Sequence, residues 1–121
     1  MALHHDLPIY RTGTQLLTLA VRAQEQMPRG VKRSLGEKIS QHCIDMLDEM
    51  ALANATKRGE RARHVENLLS HQRTLTVLLR VSHDNRYVAT KVWADAVQLL
   101  DSIGKQGGGW LKSAANGAPA A

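Results

Sequence analysis

Four stretches of this 121-residue chain repeat one apolar spacing, in alternating steps of three and four residues. The first runs Ile9, Gly13, Leu16, Ala20, Ala23, Met27, and the second Leu35, Ile39, Cys43, Met46, Met50, Ala53. The third runs Val65, Leu68, Gln72, Leu75, Leu79, Ser82, and the fourth Val92, Ala96, Leu99, Ile103, Gly107, Trp110. Such steps keep side chains on one stripe of a helix, which must bury that stripe against neighbouring helices. A strand needs strict alternation, and no stretch sustains it. The only aromatic residues besides histidine are Tyr10, Tyr87, Trp93 and Trp110, so the core must be aliphatic, which suits helix-on-helix packing.

The breaks between the stripes agree with four helices. Pro28 follows the first stripe and ends that helix, because proline lacks the donor and clashes with the preceding turn. Ser34-Leu35-Gly36-Glu37 has the form of a capping box, with Ser34 as N-cap of the second helix. Asn54 to Gly59 and His83 to Arg86 are polar breaks, and Thr90 is a candidate cap. Helices are therefore expected at about 9–27, 34–55, 60–83 and 89–112, in one bundle domain of residues 1–112. Residues 113–121 are small and are expected to form a disordered tail. Short connections favour antiparallel neighbours, hence an all-α, up-down-up-down four-helix bundle. Leu47 and Leu52 lie off the second stripe, and Leu69, Val77, Leu78 and Val81 off the third; they widen the core or form a second seam for self-association.

Little in the chain points to catalysis. No Glu-x-x-His pair, His-Glu-x-x-His motif, phosphate loop or dinucleotide turn is present. Gly107-Gly108-Gly109 sits at a helix end with no strand before it, and reads as a loosened or closely packed last turn. Cys43 is the only cysteine, which excludes an intrachain disulfide and a cysteine-based zinc site; among apolar neighbours it reads as a buried thiol. Among the six histidines, His4 and His5 are adjacent near the start, His64 and His71 are seven residues apart, and His42 and His83 have no evident partner. No catalytic, cofactor-binding or metal-binding residues are assigned, and a non-enzymatic role is expected. The Met1–Leu7 stretch lacks the pattern of a signal peptide, and no apolar run approaches the roughly 20 residues of a membrane span. A cytoplasmic protein is expected.

Charge is more informative. The net charge is +5, unevenly spread: +3 over residues 1–33, −3 over 34–56, +4 over 57–83 and +1 over the rest. Arg29, Lys32 and Arg33 cluster in the first turn; Lys57, Arg58, Arg61 and Arg63 open the third helix, and Arg73 and Arg80 continue along it. The first turn and the start of the third helix are expected at the same end of the bundle. A basic surface of this kind contacts phosphates with strong salt dependence. With few aromatic platforms, the contacts are expected to be to the backbone of a nucleic acid rather than to its bases. The bland alternative is a solvated face, with Arg63 and Arg73 offset by Glu60 and Glu66.

The order of several short motifs resembles one family. These are Leu7-Pro8-Ile9-Tyr10, Met27-Pro28-Arg29, Ser34-Leu35-Gly36-Glu37-Lys38-Ile39, Leu78-Leu79-Arg80 and Ile103-Gly104 followed by Gly108-Gly109-Trp110-Leu111. The chain resembles, over about residues 7–112, the accessory variability determinant (Avd) proteins of diversity-generating retroelements. These lie within the four-helix-bundle group that includes proteins from ribosomal-RNA intervening sequences. The resemblance implies a homo-oligomeric ring, a pentamer being favoured, that binds a reverse transcriptase and its template RNA or DNA to support mutagenic copying. It also implies that Arg80, with Arg73 beside it, and Arg29 belong to the partner-binding surface, and that Gly109 and Trp110 are packing residues. Trp93 is a further candidate packing or interface residue. The acidic second helix departs from a uniformly basic surface. The alternative function is a structural or ribosome-associated bundle protein without a retroelement role.

Overall fold

A computed structural model describes residues 3–115, and all regular structure among them is helical. One 3-10 turn, His4–Asp6, precedes α1, Pro8–Gln26. Arg29–Val31, a π turn at Lys32–Gly36 and Glu37–Ala55 run into one another as a second helix, α2, residues 29–55. Then come α3, Arg58–Asp84, and α4, Thr90–Ala115. The last helix thus runs past Lys112, and the remainder of the expected tail, 116–121, lies outside the described residues.

Prolines start and stop these helices. Pro8 is the first residue of α1, where its missing N–H costs nothing. Met27, before Pro28, is forced into extended backbone (φ −71°, ψ 151°) and ends α1. Pro28 then leads directly into α2, so Ser34 is not an N-cap, contrary to expectation. Ser34 lies inside the π turn, and its hydroxyl donates back to the carbonyls of Gly30 (3.1 Å) and Val31 (3.4 Å). The π turn is held from α1: Gln24 Nε2 donates to Lys32 O at 3.3 Å, and Ser40 Oγ donates to Gln24 Oε1 at 2.7 Å. Gly36 is required there, because a Cβ would lie 2.7 Å from Gln24 Cγ.

Each neighbouring pair of helices is antiparallel. His42 meets His71 and Glu49 meets His64 between α2 and α3. Gln72 donates to Leu100 O, while Gly107 packs on Leu69, between α3 and α4. Gln106 donates to Thr12 between α4 and α1, and Gly13 packs on Leu47 and Met50 between α1 and α2. The four helices therefore close an up-down-up-down bundle, α1 beside α2 and α4, α3 beside the same two.

The stripes form the core. Every position of the first is buried, and so are Ile39, Cys43, Met46, Met50 and Ala53 of the second and all but Gln72 of the third. In α4 the buried line runs Ala96, Leu100, Ile103 and Gly107, so that Leu99 is only half-buried: the step of four precedes the step of three. Of the off-stripe apolar residues, Leu47 and Leu69 join the core, while Leu52, Val77 and Val81 are exposed.

Candidate nucleic-acid interface

The alternation of connections decides where the basic residues go. The α1–α2 connection and the α3–α4 turn share one end, where Gln26 lines a cleft with residues from His83 to Thr90. The α2–α3 connection lies at the other end. The expectation that Arg29, Lys32 and Arg33 sit beside Lys57, Arg58, Arg61 and Arg63 is therefore wrong: in an up-down-up-down bundle successive connections alternate ends. The first three stand at the Pro28 end with Arg80; the second four stand at the opposite end.

These cations differ in what they are free to do. Arg61 is turned inward, with Nε donating to Ala53 O at 2.9 Å and a terminal nitrogen to Asn54 O at 3.5 Å. It satisfies the last carbonyls of α2 and is lost to any phosphate. Arg63 meets Glu60 at 4.0 Å, both side chains about two-thirds exposed (65% and 68%), a contact of little energetic weight. The expected offset of Arg73 by Glu66 does not form: Arg73 and Arg80 make no hydrogen bond or ion pair with another described residue. With Val77 and Val81 they line the exposed outer stripe of α3.

At the Pro28 end, Arg29 and Arg33 are exposed, Lys32 half-exposed, and none has a side-chain partner among the described residues. They occupy the opening turns of α2, which contain no acidic residue. A helix start is the positive end of its dipole and favours carboxylates, so three cations there oppose helix stability unless an anion sits over them. The same boundary makes α2 basic at its start and acidic along its body, where Glu49 is engaged by His64 and Asp45 by Gln41.

Arg86, at this same end, was not singled out by sequence. The α3–α4 turn closes by Tyr87 N–H donating to Ser82 O (2.8 Å) and Arg86 N–H to His83 O (2.9 Å). This bond pair needs a left-handed residue just past the helix, normally glycine; Arg86 fills it at φ 63°. Its exposed guanidinium has no partner among the described residues.

Two polar pairs in the α2–α3 seam also escaped sequence reading. His64 Nδ1 lies 2.6 Å from Glu49 Oε2, and His42 Nδ1 lies 2.9 Å from His71 Nδ1. The ring centroids of His42 and His71 are 5.2 Å apart, so the two nitrogens face each other along one hydrogen bond instead of converging on a third point. One Nδ1 donates and the other accepts. Among the described residues no group of three or more His, Cys, Asp or Glu is placed to hold a metal ion. Burial pushes the Cys43 thiol up to about 12, and among the described residues no helix is long and apolar enough to cross a membrane.

Trp93 is half-buried and stacks on His83, with centroids 5.8 Å apart and planes 14° off parallel. Trp110 is half-buried against the core, whereas Gly109, expected as a packing residue, is exposed with nothing within 4 Å of an added Cβ. A protein-family model described as bAvd-like matches residues 9–114. No curated protein matches the chain.

Proposed function

The chain belongs to the bAvd-like family, and from that membership we propose that it is a non-catalytic accessory protein of a diversity-generating retroelement. It binds the reverse transcriptase and the backbone of the template RNA or DNA, and supports mutagenic copying. It acts as a homo-oligomeric ring, a pentamer being favoured, and the exposed Leu52, Val77 and Val81 are available for subunit or protein contacts. The observation that carries this reading is the set of cations at the Pro28 end and along α3 that have no side-chain partner among the described residues: Arg29, Lys32, Arg33, Arg73 and Arg80. Three of them stand on the positive start of a helix, where only an anionic partner offsets their mutual repulsion. Phosphate contact through exposed arginines requires no catalytic group and reads no sequence.

The test is Arg73→Glu combined with Arg80→Glu. Both side chains are exposed and have no partner among the described residues, so helicity by circular dichroism should be unchanged. Capture of reverse transcriptase and RNA should be lost. Undiminished capture of both would sink the proposal.

A further inference from the structure

An open cleft of about 700 Å³ lies at the Pro28 end between the last turn of α1 and the α3–α4 turn. That volume is within the roughly 300–1,000 Å³ typical of small-molecule sites. Its lining includes Gln26, His83, Asp84, Arg86, Tyr87 and Thr90. We propose that this cleft holds one unpaired nucleotide of a bound single-stranded RNA, an inference that rests on the nucleic-acid reading above and adds a base-recognising subsite to it.

The rings supply the first part. His83 is a held ring: it stacks on Trp93, its Nε2 is 3.4 Å from Thr90 Oγ1, and its Nδ1 is 3.7 Å from Asp84 Oδ1. With its side chain 30% exposed, it still offers surface to the cleft. Tyr87, half-buried, is a second ring in the same lining. Bases stack on such rings whatever their sequence, and a ring already fixed loses little freedom on binding.

The charges supply the second part. Arg86 brings an exposed guanidinium to the cleft from a left-handed position where glycine is the least strained residue. A guanidinium there suits a phosphate. Asp84, in the same lining and 64% exposed, repels a free phosphate ion but accepts a hydrogen bond from an amino group on a base edge, as on cytosine. Gln26 can donate and accept beside it. Cation, ring and carboxylate in one cleft match the phosphate, base face and amino edge of a nucleotide. A bare anion would match only the first.

The experiment measures fluorescence anisotropy of oligocytidine RNA, oligouridine RNA and a blunt RNA duplex with the full chain at constant salt. Arg86→Gly places the preferred residue at φ 63°, so it keeps the fold. Oligocytidine should bind about tenfold more weakly to His83→Ala and to Arg86→Gly. Duplex binding by His83→Ala should stay within about twofold of the original, because a duplex offers no unpaired base. Asp84→Asn should reduce the preference for oligocytidine over oligouridine. Strand and duplex affinities falling together in His83→Ala, or oligocytidine affinity unmoved by His83→Ala and Arg86→Gly, would overturn the cleft assignment while leaving the phosphate-binding reading in place. An original chain that binds neither strand nor duplex would overturn both.

Discussion

Adjacent glycines in α4 should respond oppositely to the same small change. Gly107 and Gly108 are both helical, and replacing either by alanine removes the entropic cost of glycine, a gain of about 0.8–1 kcal/mol. At Gly108 nothing lies within 4 Å of the added Cβ, so the whole gain should appear. At Gly107 the Cβ would fall 2.6 Å from Leu69 Cδ2 and 3.4 Å from Leu68 Cδ1, both on buried leucines. Such overpacking costs about 1–3 kcal/mol, which cancels or exceeds the helix gain. Urea unfolding followed by circular dichroism separates the two. With a slope of about 1–3 kcal/mol/M, Gly108→Ala should raise the midpoint by about 0.5 M, and Gly107→Ala should leave it unchanged or lower it. Equal shifts for the two variants would refute the close α3–α4 approach at Gly107. A lowered midpoint for Gly108→Ala would refute the open face at Gly108.

Three further predictions follow from the seam and the caps. His42→Leu or His71→Leu alone strands a half-buried ring nitrogen, while the double variant does not, so a double-mutant cycle by urea unfolding should give a coupling of about 0.5–3 kcal/mol; zero coupling would mean that the pair is not a bond. Arg61→Ala should lower stability by about 1 kcal/mol, and the salt slope of RNA binding should not change; Arg33→Ala should instead reduce that slope by about 1 with stability intact. Cys43 titrates at about 12 when folded against a usual 9.0, so its contribution to stability is complete below pH 9 and is lost as pH rises towards 12. Replacing it by alanine should flatten that part of the stability–pH curve, and an unaltered slope would argue against its burial.

The helices were legible in the sequence because one periodic signal, a step of three or four, coincides with burial along each of them. Their ends were less so. Pro28 reads as a stop, but the capping-box pattern of Ser34-Leu35-Gly36-Glu37 drew the start of the second helix past its true beginning at Arg29. The separation of the two basic clusters to opposite ends follows from the alternation of connections in an up-down-up-down bundle, and so was legible once four helices were recognised. The seam pairs were within reach: His42 and Glu49 have the same seven-residue spacing as His64 and His71, which antiparallel helices bring into register. The inward turn of Arg61 was not, because it depends on side-chain direction across a connection. Nor was Arg86, since glycine, not arginine, marks the left-handed position past a helix.

The most direct test of the central claim is affinity capture of the protein from its native host at near-physiological salt, with bound proteins and RNA identified. A reverse transcriptase recovered together with one defined RNA is the predicted result. Recovery of ribosomal material alone, or of nothing, would contradict a retroelement role.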